Sequence, residues 1–193
     1  MFLTRDHLTR LAGRLGAAVR NPGRLYWIGE TSLVWEGVRR WTDEIELAAD
    51  LDAADRDAFD RAREAAAREL GARIVDEHPR DVIPLPDGWR ERSKPVSEAP
   101  TTGPLELLHF DPVAVAFRFL ARGDEEDYTL ILALLQNEWL EKGELDRQLE
   151  AVLPRFSFGT IAQDPEEFRR KYRGLGQMWR GRGGRGHSAS KQP

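Results

Sequence analysis

The chain has 193 residues, 40% hydrophobic and 32% charged, enough for one domain with a packed core under a densely charged surface. It contains no cysteine, which excludes disulfides, thiolate metal sites and cysteine nucleophiles. The net charge of −4 is uneven: residues 168–193 carry eight Lys/Arg and no Asp/Glu, leaving −12 on the other 167 residues, which argues against a broad nucleic-acid groove on the body.

In chain order, Leu8, Leu11, Leu15 and Val19 share one helical face, predicting a helix over 4–20 with Thr4 as N-cap and His7 at the capping-box position. Asn21-Pro22-Gly23 ends it. Residues 25–28, apolar and aromatic, predict a buried strand that stops at Gly29. A helix over 31–41 follows, with Leu33, Val34, Val38 and Trp41 on its apolar side, then a strand over 43–48. There Ile45 and Leu47 point one way and Glu44 and Glu46 the other. Phe59, Ala62, Ala66 and Leu70 mark a third helix stopped by Gly71, and residues 72–75 a third strand.

Residues 77–104 hold six prolines and predict mostly loop, with Trp89 pinned to the core. A short strand covers 105–110. The remainder reads as helices: one from Val113 to Leu120, one through Tyr128 to Trp139, one through Leu145 to Leu153, and one starting at Asp164-Pro165. The expected architecture is α/β, with helices packed on a mixed sheet. It divides into a core at 1–111, a helical annex at 112–180 and a disordered basic Arg-Gly tail at 181–193. No apolar run reaches the roughly 18–20 residues of a membrane span, and the N-terminus lacks a signal peptide's apolar core. A soluble, cytoplasmic protein without membrane contact is the expectation.

The central stretch is Ile28-Gly29-Glu30-Thr31-Ser32, followed by Thr42-Asp43-Glu44-Ile45-Glu46-Leu47. A glycine turn, a short helix and a strand with alternate acids in this order resemble the nucleotidyltransferase superfamily. More of the chain resembles a small bacterial minimal branch of largely unknown function, related to AbiEii-type toxins of toxin–antitoxin systems. That likeness covers about residues 5–155. It includes the Pro-rich Val82-Ile83-Pro84-Leu85-Pro86-Asp87-Gly88-Trp89 and the run from Phe110-Asp111-Pro112 to Leu120-Ala121-Arg122-Gly123, followed by Glu126-Asp127.

The resemblance implies a nucleotidyltransferase-like fold and transfer of a nucleotide from a nucleoside triphosphate to RNA or protein, with Mg2+ as the cofactor. On that pattern Glu44 and Glu46 are the catalytic carboxylates and metal ligands, and Glu106 is the candidate third carboxylate. Gly29, Glu30, Thr31, Ser32 and Arg118 would line the nucleotide. The chain departs from the pattern at four places. Glu30 replaces the second turn glycine. Glu44 and Glu46 stand where the family has shorter acids. Phe119 falls at or near the family's lysine or arginine, with Arg118 the nearest cation, and Leu130 replaces a second acid.

Magnesium needs oxygen ligands in near-octahedral order, and a glutamate's extra methylene loosens alignment where about 1 Å costs roughly a hundredfold. Plainer roles stand beside these. Glu44 and Glu46 fit the solvent face of an edge strand, Gly29 an ordinary turn, Glu30 a helix-start acid, and Asp124 to Asp127 a solvated helix start. The partners expected are therefore a nucleoside triphosphate with an RNA or protein acceptor, together with an antitoxin. The alternative is a catalytically lapsed binding or interaction module. The Arg-Gly tail adds a third option, nonspecific RNA contact, against a solubilising role.

Overall fold

Five segments pair into one mixed sheet in the computed structural model, which describes residues 2–156 and 164–182. They are β1 (Gly23–Trp27), β2 (Glu44–Asp50), β3 (Arg73–Asp76), β4 (Lys94–Pro95) and β5 (Leu105–His109), in the order β3-β2-β1-β5-β4. Strand β1 runs antiparallel to β2 and parallel to β5; β2 is parallel to β3, and β4 antiparallel to β5. The helices are α1 (Arg5–Ala18), α2 (Glu30–Trp35), α3 (Ala53–Leu70), α4 (Trp89–Arg92), α5 (Pro112–Arg122), α6 (Glu125–Gln136), α7 (Lys142–Val152) and α8 (Pro165–Gly181). The α/β architecture with packed helices is the one the sequence pattern predicts.

Strand periodicity sorts the side chains into two cores. Leu25 and Trp27 of β1, Ile45 and Leu47 of β2, and Leu105 and Leu107 of β5 meet α1 and α3 on one face. Tyr26, Ala48 and Leu108, with Ile28 and Phe110 just past their strands, meet α5 and the later helices on the other. The segment expected as an annex therefore shares a continuous core with the sheet. Helix α5 carries the densest burial, with nine consecutive buried residues from Val113 to Ala121, as a helix covered on all sides must.

Local signals hold at most termini. His7 completes the start of α1: its Nδ1 accepts from the Thr4 N–H at 3.2 Å. Asp52 caps α3 and Asp164 caps α8 through backbone N–H groups at 2.8 and 3.0 Å. Gly71 closes α3 in the left-handed region at φ +57°.

Three expectations change. The helix predicted to reach Trp41 ends at Trp35, because Gly37 adopts φ +73° and turns the chain out. Val38 and Trp41 consequently sit at the surface rather than on an apolar helix side. Strand β2 is not an edge, since β3 pairs outside it and both its faces are covered. The proline-rich segment contains α4, a 3-10 turn at Pro79–Asp81 and the short β4 paired to β5. Trp89 stacks on Phe110 with centroids 5.0 Å apart. Of the Arg-Gly tail expected at 181–193, residues 183–193 lie outside the described residues. Among the described residues no helix is long and apolar enough to cross a membrane.

His78 provides a prediction on pH. It is buried edge-on against Trp89 and Phe110. Its Nδ1 accepts from the Arg80 N–H at 3.2 Å, so the proton sits on Nε2. The nearest carboxylate oxygen, of Asp50, is 3.8 Å away, too far for a hydrogen bond. Burial pushes the imidazole pKa down to about 4, with Arg80 adding repulsion and Asp50 opposing it. The fold thus prefers neutral His78. Its stabilisation is complete above the unfolded value near 6.5 and is lost as pH falls towards 4, a loss of roughly 3 kcal/mol. Urea unfolding at pH 7 and pH 4.5 checks this: His78→Gln should shed most of the wild-type difference.

Candidate functional site

The β1–α2–β2 unit is built on a reversal that only glycine makes easily. Gly29 has φ +55° and ψ −123°, and the Thr31 N–H donates to the Ile28 carbonyl at 3.1 Å. This is a type II′ turn with glycine at its first central position. The turn starts α2 and sets it beside β2. Both hydroxyls the sequence offers to a ligand face inward. Thr31 Oγ1 accepts the Glu46 N–H at 2.9 Å, and Ser32 Oγ donates to the Trp27 carbonyl at 3.0 Å. Both residues are buried.

Glu30 turns away from the glycine and organises the loop after α2. One carboxylate oxygen pairs with the Arg39 guanidinium, and the other accepts from Thr42 Oγ1 at 2.9 Å. Thr42 Oγ1 also meets the Glu44 carbonyl at 2.9 Å.

Glu46 lies at the centre of the site, only 7% exposed. Its Oε1 accepts from Arg118 at 2.9 Å and from Arg122 at 3.3 Å. The Arg118 Nε donates to Glu77 at 2.7 Å, and Nη2 pairs with the same carboxylate. Arg122 is held in turn by Asp127, at 2.5 Å to one oxygen and 3.3 Å to the other. Burial would lower the Arg122 pKa; Asp127 and Glu46 more than reverse it. Two cations thus meet three acids at the C-terminal half of α5, where desolvation is offset by near-complete hydrogen bonding. Glu44 is further out and pairs with Arg73 at 2.6 Å. Burial nonetheless raises its carboxyl above the ordinary value, against the pull of Arg73.

The structure does not bring Glu106 to these acids. Its partner across the sheet is Arg24, both by strand register and by a 3.0 Å ion pair. Glu46 lies beside Ile28, four residues further along β1. At about 3.3 Å per residue the two carboxylates are on the order of 13 Å apart. Asp111, just past β5, is fully buried as the N-cap of α5. It accepts from the Val113 and Ala114 N–H groups and takes a paired contact from Arg92 at 2.9 and 2.8 Å.

Phe119 completes the closure. An added Cβ on Gly29 would lie 2.5 Å from Phe119 Cζ and 2.9 Å from Glu46 Oε2, so the turn is roofed by an aromatic ring and a carboxylate. The Arg122 guanidinium lies 4.9 Å from the centroid of that ring.

Glu44 and Glu46 do not fit magnesium in this arrangement. Arg118 and Arg122 take up Glu46 Oε1 and Arg73 takes up Glu44 Oε2, and a cation beside those guanidiniums would be repelled. Among the described residues no group of three or more His, Asp or Glu side chains is arranged to hold a metal ion. Comparison with protein-family models, with curated proteins and with solved structures returns no match.

Sequence reading placed Arg118 at the site, named Arg122 and Asp127 only within the resemblance, and missed Glu77. The helical spacing of 118 and 122 was a usable signal, since i and i+4 share a face. No comparable signal tied Glu77 to either.

Proposed function

We propose that this chain is a nucleotidyltransferase-like module that has lost catalysis and works by binding a protein partner. One observation carries the reading. The acid that would ligate metal, Glu46, is buried under Arg118 and Arg122, while Phe119 covers the glycine turn. A triphosphate would have to displace an aromatic ring and break a buried ion network before touching the turn.

The choice of a protein partner is supported by the adjoining surface. Phe2, Val38 and Trp41 are 65%, 40% and 45% exposed, and the Phe2 and Trp41 rings lie 4.2 Å apart. They flank the loop that Glu30 and Thr42 hold rigid. Large apolar side chains gathered on a charged surface are characteristic of association sites. An antitoxin-like product of an adjacent reading frame is the partner this reading favours.

Calorimetric titration of the full chain with each nucleoside triphosphate and magnesium should give no saturable heat at millimolar ligand. Binding that disappears in Glu44→Ala and Glu46→Ala would overturn the lapsed reading in favour of the transferase. For the partner, Trp41→Ser should weaken the complex with the co-expressed neighbouring product by about tenfold or more, as loss of a central aromatic anchor does. An unchanged affinity would remove this surface from the interaction.

A further inference from the structure

We infer that the open face of α8 binds duplex DNA through the phosphate backbone, with the helix laid along the major groove. None of the residues involved belongs to the Glu46 network or to the Phe2–Trp41 surface. One side of α8 is covered: Phe168, Tyr172, Leu175 and Gly176 are buried, and Trp179 packs on the same core. At about 100° per residue, the opposite arc holds Arg170, Arg173, Gly174, Gln177, Arg180 and Gly181. Three guanidiniums therefore follow one ridge about 15 Å long.

These arginines have little to do inside the fold. Arg170 has Glu167 only at 3.9 Å, beyond hydrogen bonding, and its side chain is 74% exposed. Arg173 and Arg180 make no ion pair and no side-chain hydrogen bond among the described residues. The other cations of α8 face inward partners. Lys171 donates to the Ala121 carbonyl at 2.6 Å, tying α8 to α5, and Arg169 faces Glu150 at 3.9 Å. Interaction with the helix dipole accounts for a cation at Arg180, in the last turn, but not for Arg173 at mid-helix. The acids of α8, Glu166 and Glu167, stand in its first turn, and none follows them to the end of the sequence. On a chain whose first 167 residues carry −12, this ridge is a local inversion of charge, and its complement is a polyanion.

Glycine supplies a second observation. Gly174 lies in the helix interior, where glycine is among the least favourable residues. A Cβ added there would meet nothing within 4 Å, and the same holds at Gly181. Internal packing calls for glycine at neither position. Bare backbone beside the arginines lets another molecule approach closely.

The kind of polyanion follows from what the face lacks. Single strands are held by stacking on aromatic side chains, and the aromatics of α8 pack on the core instead. An anionic membrane would need the apolar side of the helix, which is already buried. The major groove of an RNA duplex is too narrow for side chains to enter. The major groove of B-form DNA, about 12 Å wide, admits an α-helix between two rows of phosphates.

The test is fluorescence anisotropy of a labelled, mixed-sequence DNA duplex of about 24 base pairs titrated with the full chain. Saturable binding with a Kd on the order of 1–100 µM at about 50 mM KCl is expected, weakening roughly fortyfold by about 200 mM for three phosphate contacts. Arg173→Ala with Arg180→Ala should lower the log–log salt slope by about two, alike on unrelated sequences. Gly174→Leu should weaken binding about tenfold while holding or raising the melting temperature, because leucine favours helix and the position is open. No anisotropy change up to ~100 µM protein, an unchanged slope in the arginine double variant, or wild-type affinity in Gly174→Leu would each overturn the inference. So would tighter binding of a single strand or an RNA duplex, or loss of all binding in Arg185→Ala with Lys191→Ala, which would place the contact beyond α8.

Discussion

Arg118→Ala is expected to cost about 3–5 kcal/mol of folding stability, the range for breaking a buried ion pair by removing one partner. The side chain is 1% exposed and donates to Glu46 and Glu77 together. Its removal leaves Glu46 with the longer Arg122 contact alone, and opens a void where a guanidinium had filled space. Glu77 is half-buried and can rehydrate, so the penalty centres on Glu46. Urea unfolding at pH 7, followed by tryptophan fluorescence, measures it; a loss below about 1 kcal/mol would mean the network contributes little. The double variant Glu46→Leu with Arg118→Met separates charge from packing. It should lose much less than the two single changes added together, because no buried charge is left unpaired. A sizeable coupling energy would locate the stability of this region in the pairing, where the proposed function requires it to be.

The second large effect is expected at Gly29→Ala. The first central position of a type II′ turn lies in backbone territory closed to alanine, and the Cβ would meet Phe119 Cζ at 2.5 Å. Strain and overlap together should remove about 3 kcal/mol or more. The two causes can be separated by the background. In Phe119→Ala the closest overlap is relieved, while the 2.9 Å approach to Glu46 Oε2 and the backbone strain remain, so Gly29→Ala should cost less there, about 1–2 kcal/mol. Equal costs in both backgrounds would show that Phe119 does not press on the turn, and would reopen the glycine to a ligand.

The proposed loss of catalysis follows from how these two features meet. A phosphate-binding turn needs open space above its N–H groups. Here that space holds Phe119, at the position where the resemblance places a cation. A metal-binding strand needs carboxylates with free lone pairs. Here Glu46 faces Arg118 and Arg122, and Glu44 faces Arg73. Each change alone weakens a transferase. On the proposed reading the two together leave a tightly paired core, with the apolar Phe2–Trp41 surface outside it.

The sequence by itself determined what depends on neighbours a few residues away. Helix faces in α1, α3 and α7 follow from their 3-4 spacing, and Gly29, Gly71 and Asp164 mark boundaries because turns and caps are local chemistry. Alternation in β2 separated Ile45 and Leu47 from Glu44 and Glu46. Even so, local rules overran α2, where Gly37 stops a helix that periodicity carried to Trp41. Only the tertiary structure decided what each charge faces. Arg118 is 72 residues from Glu46, and Glu106 is 82 from Arg24. A charged side chain's partner is set by strand order and helix docking, neither of which leaves a periodic trace. Strand order and docking of α5 put Glu46 under two guanidiniums and a phenyl ring and leave Glu44 against Arg73.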